Sequence, residues 1–270
     1  MKAPQGIVTH RGPSLLTGAP VFVVTTNLQR ASKNDKTGAM AQTFILAQDV
    51  APHHAIKTGH DEAVCGDCRM RRYLQEQRRI AGLPVDDGPC YVITFQSPRS
   101  VWHAYKDAPA LPPEEAREIL RKARFNVHRV GSYGDPGAVP ASVWSLYPRE
   151  RTSYTHQWRN RPDLAPFCMA SVHSETERAE ARAMGFRTFR ILGPGETPGE
   201  REILCPASDE AGKRTTCLRC VLCDGSRATV ITCPDTTQAE RNDRSMSEYL
   251  YGSRIDWSTD KRKDIAIHVH

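Results

Sequence analysis

Two groups of cysteines have the residue type and spacing best suited to chemistry. Cys205 precedes Cys217-x2-Cys220-x2-Cys223, and Cys65-Gly-Asp-Cys68 precedes Cys90. The total of nine is odd, so a closed disulfide framework would leave one thiol over. A chain of 270 residues can also bury a core without such staples. In reducing surroundings these spacings point to metal ligation. Cys217, Cys220 and Cys223 curl one short loop so that three thiolates converge on a cuboidal cluster, with Cys205 as a fourth ligand from another element. That pattern favours a 4Fe–4S cluster. Zinc is the alternative, although it more often takes two separated Cys-x2-Cys pairs. The group Cys65, Cys68 and Cys90 lacks a fourth cysteine. Either His60, His54 or His53 completes a Cys3His zinc site, or one iron of a cluster is left open for an outside ligand. Cys168, inside Phe-Cys-Met-Ala, reads as a core residue, and Cys233 has no expected role.

The elements that must position these residues are partly visible. Residues 21–28 and 42–46 read as strands of an N-terminal β-hairpin. The polar segment 32–38 between them, with Lys33 and Lys36, reads as a solvated loop or an anion cradle. Residues 69–80 form a basic helix stopped by Gly82 and Pro84. From Cys90 onwards strands and helices alternate. Strands are expected at 90–95, 128–133, 151–158, 165–174, 186–192, 202–207 and 264–270. A helix is expected at 112–125, with prolines at its start, acids in its first turn and bases in its last. A shorter one begins at 140, and another follows the capping box of Ser174 and Glu177. This alternation implies parallel βαβ units, arranged as an open or incomplete (β/α) barrel or as a doubly wound sheet. No Gly-x-Gly-x-x-Gly follows a strand, so the dinucleotide fingerprint is absent. Residues 1–226 and 264–270 are expected to form one barrel-like domain, and the polar stretch 227–263 an insertion or flexible arm.

In barrels, chemistry gathers at the C-terminal ends of the strands. Those ends would present Ser132, Tyr133 and Asp135, then Thr155, His156 and Gln157, then Ser171, His173 and Ser174, with Arg190 beyond. Asp135, His156 and His173 are the expected catalytic groups. Tyr133, Ser171 and Arg190 are the expected cofactor contacts. The charge balance, 37 basic against 31 acidic side chains, permits nucleic-acid binding without requiring it. Arg69, Arg71, Arg72, Arg78 and Arg79 form the best candidate patch, and a nucleotide substrate would add Arg190. The terminal His268-Val-His270 resembles the metal motif of rolling-circle nucleases, but Tyr249 and Tyr251 lie upstream of it, and an ordinary last strand is the better reading. No apolar run reaches membrane-spanning length, and MKAPQGIVTHRGPSLL lacks a signal-peptide core, so a cytoplasmic protein is expected.

Taken together, SKNDKTG, VCGDC, PCYV, GSYGDP, YTHQW, CMASV and CPAS followed by CLRCVLC resemble a cysteine-rich family of uncharacterised phage and mobile-element proteins, itself similar to radical-SAM-type barrels. The resemblance covers about residues 32–225 and the last strand. It implies an incomplete α/β barrel with a cysteine-rich C-terminal metal loop. It also implies a cluster at Cys65, Cys68 and Cys90 whose open iron takes S-adenosylmethionine. The chain departs from that superfamily in lacking Cys-x3-Cys-x2-Cys and a Gly-Gly-Glu after the second strand; Asp135, in GSYGD, is the carboxylate that could stand in. The function implied is an iron–sulfur enzyme acting on a small molecule, nucleotide or nucleic acid. Its rival is a non-enzymatic zinc protein that binds DNA or RNA.

Overall fold

Valine, threonine and phenylalanine crowd the segments after residue 20, and such side chains fit pleated surfaces covered on both faces. A computed structural model describes residues 4–32, 35, 37–85, 90–212, 215–226, 229–231, 254–256 and 263–268. In it β1 (Gly6–Pro13), β2 (Pro20–Thr26) and β3 (Ala41–Ala47) form an antiparallel meander, and every residue of β3 is buried. The expected hairpin is thus present with a third strand added. β1 escapes the pattern because its register slips between Val8 and His10.

Four helices follow: α1 (Pro52–Thr58), α2 (Glu62–Cys65), α3 (Arg72–Ile80) and α4 (Ser97–Tyr105). Next comes α5 (Pro113–Lys122), which opens on proline and Glu114–Glu115 and closes on Arg121–Lys122, matching its dipole. The chain then enters β4 (His128–Tyr133), parallel to β3. After a 3-10 turn at Pro136–Ala138 and the short α6 (Ala141–Trp144) come β5 (Arg151–Thr152) and β6 (Tyr154–Thr155). The two are one extended segment interrupted at Ser153. β5 pairs with β4, whereas β6 pairs with β7 (Met169–Val172), so the segment ends one sheet and begins the other.

α7 (Glu175–Ala183) starts at Ser174, whose hydroxyl accepts from the Glu177 amide at 3.1 Å. Glu177 completes the cap one residue early, accepting from the His173 amide at 2.7 Å. β8 (Thr188–Leu192), β9 (Glu202–Leu204) and α8 (Cys217–Cys220) follow. A ribbon of β10 (Thr229–Ile231) and β11 (Arg254–Asp256) lies within the expected insertion. β12 (Asp264–His268) then enters between β8 and β9. Asp264 fastens it there, accepting from the Thr188 amide and from Arg178 and Arg182.

The molecule is therefore mixed α/β with two five-stranded sheets, ordered β1-β2-β3-β4-β5 and β6-β7-β8-β12-β9. From β3 onwards every pairing in these sheets is parallel. Among the described residues no pairing closes a barrel. The strand expected at 90–95 is absent: β3 and β4, the strands it lies beside, are each already paired on both sides, and Tyr91, Ile93 and Phe95 stay exposed. His268 is an ordinary strand residue beside Leu192. Lys33, Lys36, Cys233, Tyr249, Tyr251 and His270 lie outside the described residues. No described helix is long and apolar enough to cross a membrane.

Candidate functional site

Cys65 closes α2, and the chain turns tightly so that the Cys68 amide meets the Cys65 carbonyl at 3.2 Å. Gly66 makes the turn possible: it sits at φ +57°, and a Cβ there would stand 2.8 Å from the Gln157 side chain. Gln157 Nε2 donates to the Cys65 carbonyl and to Asp67 Oδ1, locking the loop to the strand end beyond β6. Cys90, remote in sequence, is brought in when its amide donates to the Met70 carbonyl at 2.8 Å. The three expected cysteines are thus neighbours. Their thiols are all pushed up, first by burial, Cys68 to about 12 and Cys65 well above the ordinary value. Without a cation they stay protonated at neutral pH.

Two further groups stand at this triad. Asp61 is buried and paired with the equally buried Arg71 at 2.8 Å, and Arg71 also donates to the Gly66 and Gly59 carbonyls. Arg71 was expected on a solvent face. It instead holds the cysteine loop from inside, because α3 begins only at Arg72. The Tyr133 hydroxyl is buried without a hydrogen-bond partner, and its ionisation is resisted first by burial and then by Cys65 and Asp61. His60, His53 and His54 stand apart: His60 Nδ1 meets Thr58, and the other two rings lie against each other.

The expected polar ring is partly assembled beside the triad. Asp135 accepts from Gly137 N and Thr155 Oγ1 on one oxygen and from His156 N on the other, each at 2.7 Å. With both oxygens engaged, it is a bracket that positions the loop after β4 against the end of β6. Burial nonetheless raises its pKa to about 6. His156 lies beside His173, ring centroids 5.7 Å apart and planes 29° apart. Burial lowers His156 to about 4, and its Nε2 has no partner. Ser171 is buried and its carbonyl accepts from Trp158. Arg190, expected to meet a cofactor or a phosphate, is taken up by Glu202 at 2.7 Å and Glu196 at 3.2 Å. Of the basic patch, Arg69 and Arg72 are exposed, Arg78 donates to the Pro84 carbonyl, and Arg79 pairs with Glu76.

The second cysteine group sits where the two-sheet segment and the last strand meet. Cys205, Cys217, Cys220 and Cys223 all line one cavity of about 20 Å3, with Tyr154, Leu222 and Ile265. α8 carries two of them, Val221 turns left-handed at φ 41°, and Cys223 comes back alongside. The Cys223 carbonyl accepts from the Ser153 amide, tying the loop to the break between β5 and β6. Burial pushes the Cys223 thiol up to about 12, against a hydrogen bond with the Tyr154 hydroxyl. Arg187 lies near Cys220 and Cys223 and pairs with Asp224 at 3.5 Å. Tyr154 and Arg187 were not anticipated, although Tyr154 alternates with His156 along one strand and that phase was readable. Cys168 is a core residue, 3.0 Å from Ser153.

Among the described residues no group of three or more His, Cys, Asp or Glu side chains is already arranged to hold a metal ion. The chemistry of both donor sets still suits one: soft sulfur donors gathered from separate segments of the chain. No family model matches the chain, nor does any curated protein or solved structure.

Proposed function

We propose that the chain is an iron–sulfur protein of enzyme type on an open barrel wall, with a sealed centre at Cys205, Cys217, Cys220 and Cys223. The observation that carries this reading is the convergence of all four cysteines on one cavity. Three of them come from a Cys-x2-Cys-x2-Cys loop, the arrangement that suits a cuboidal cluster. Cys65, Cys68 and Cys90 would hold a second centre, open on one side to a small ligand. Support for the barrel wall comes from strand order. β3, β4, the β5–β6 segment, β7 and β8 neighbour one another in chain order, without the reversal of a doubly wound sheet.

A cluster at the first site would supply one-electron chemistry to its ligand, S-adenosylmethionine by the resemblance. The chain's own groups have separate tasks. Tyr133 offers a buried hydroxyl with no other partner, Asp135 and Gln157 hold the loops in register, and His156 presents a neutral, unpartnered Nε2. Arg71 and Asp61 fix the floor beneath the cysteines.

One observation favours zinc at the second group. A cavity of about 20 Å3 has the room of about one water molecule, which suits a single ion. The alternative function is a zinc protein contacting nucleic acid through Arg69, Arg72, Arg78 and Arg79. Anaerobic purification with iron, sulfide and zinc analysis and a visible spectrum separates the two. Iron and acid-labile sulfide with a broad charge-transfer band are expected. Stoichiometric zinc in a colourless protein would remove the iron–sulfur reading.

A further inference from the structure

Tyr91 follows Cys90 in the chain, and an arginine meets its hydroxyl. Arg129, on β4, donates from Nη2 to the Tyr91 hydroxyl at 2.8 Å and also feels Tyr154 and Cys217. It is half-buried, and no carboxylate among the described residues pairs with it. A guanidinium withdrawn from water without a counter-charge is costly, and an anion drawn to it offsets the cost.

Arg129 opens into a cavity of about 720 Å3, within the range of small-molecule sites. Its wall combines Arg30 and Arg129 with the side-chain amides Asn27 and Gln42 and the rings Phe44 and Tyr91, and among the described residues no aspartate or glutamate lines it. Arg30 likewise has no carboxylate partner among the described residues. The first turn of α4 also borders the cavity through Ser97 and Ser100, and its N-cap residue Gln96 makes no side-chain cap bond. The positive end of that nine-residue helix adds to the field of the arginines. Gln42 is already oriented, accepting from Ser132 and donating to the Met40 carbonyl. The cavity therefore has a cationic pole, aromatic surface and fixed hydrogen-bonding groups.

We propose that this cavity binds a mononucleotide, its phosphate held by Arg30 and Arg129 and its base set against Phe44 and Tyr91. Tyr91, next to Cys90 in the chain, would bring the nucleotide beside the first cysteine group as its substrate. That role rests on the metal-centre reading; the binding does not. Arginines prized as a sequence patch, around residues 69–79, take no part in it.

Calorimetric titration of the purified full chain at low salt with AMP, GMP, CMP and UMP tests the proposal, with adenosine and inorganic phosphate as partial ligands and metal content measured on the same samples. At least one mononucleotide is expected to bind. Arg129→Gln and Arg30→Gln should each weaken it by about tenfold or more, the loss of a charged hydrogen-bond donor. Arg79→Gln should not change it, and metal content should stay constant throughout. If Arg129→Gln fails to fold, Arg30→Gln decides alone. Absence of binding by all four mononucleotides, or full binding by a folded Arg30→Gln or Arg129→Gln protein, overturns the proposal. Phosphate binding as tightly as every nucleotide overturns the assignment of the rings. Nucleotide binding by a protein without metal would leave this site standing and remove the reading of the cysteines.

Discussion

The two cysteine groups are built from opposite surroundings. Cys205, Cys217 and Cys223 belong to an apolar cluster with Met169, Ala207 and Ile265, edged by Tyr154, Leu222 and Ile203. Cys65, Cys68 and Cys90 stand among Asp61, Arg71, Asp135 and Tyr133. An apolar wall excludes water and competing ligands, as suits a structural or electron-carrying centre. A wall with an unpartnered hydroxyl and a neutral histidine beside it leaves chemistry for something else to use. The β5–β6 segment divides the two regions: Tyr154 serves one, Thr155 and His156 the other, and only Ser153 separates β5 from β6. Alternation along the strand sends Tyr154 and Thr155 to different faces, and His156, past the end of β6, reaches Asp135 through its backbone amide.

The comparison breaks most visibly on metal removal. Cys223→Ser, or a strong chelator, should unfold the junction of β6, β12 and the C-terminal loop. The expected fall in Tm is about 10 °C, at roughly 2–4 °C per kcal/mol for a chain of this size. Cys65→Ser should strip the first site with little change in Tm. Calorimetric melting of the two variants checks this; equal and small shifts would show that neither group staples the fold.

The next largest effect concerns Arg71. Its side chain is 7% exposed and that of Asp61 3%, so Arg71→Gln strands a buried carboxylate. The expected cost is about 3–5 kcal/mol, read from urea unfolding, with metal lost from the first group and kept at the second. Arg71→Lys, which keeps the charge but not the fork to the Gly59 and Gly66 carbonyls, should recover only part.

Much of this organisation was readable and part was not. The charge-graded α5 and the Ser174 cap of α7 follow local rules, and both survive in the fold. Arg71 looked like a member of a basic face because the helix expected from residue 69 starts only at Arg72. The segment 90–95 has the alternation of a strand, but its neighbours β3 and β4 are paired on both sides, and which strands are edges is a property of the whole topology. Arg129 was invisible for the same reason, since its cavity exists only once β4 lies beside β3 and the chain after Cys90 crosses over them. Asp135 was legible as a residue, but not the three donors that its two oxygens accept from.

A smaller effect follows from pH. Burial lowers His156 and His128 to about 4, so each contributes stability present above the unfolded value near 6.5 that is lost as pH falls towards 4. Asp135, raised to about 6, has the opposite sign: its contribution is present below the unfolded value and is lost as pH rises through 6. With two groups against one, these three take up about one proton on unfolding at pH 5. Urea midpoints should therefore rise from pH 4.5 to 6.5. His156→Gln should flatten that rise, whereas an unchanged slope would mean that His156 titrates alike in both states. The smallest effect is expected at the surface. Arg79→Gln removes a fully exposed pair with Glu76 and should leave Tm unchanged.

Metal counting per chain in site-selective variants tests the central claim most directly. The wild type, Cys65→Ser with Cys68→Ser, and Cys205→Ser with Cys223→Ser would be purified anaerobically and assayed for iron, sulfide and zinc. Two centres are expected in the wild type, and each double variant should lose one and keep the other. Equal metal content in all three proteins, or a folded wild type that takes up none when reconstituted with iron and sulfide or with zinc, would contradict the account.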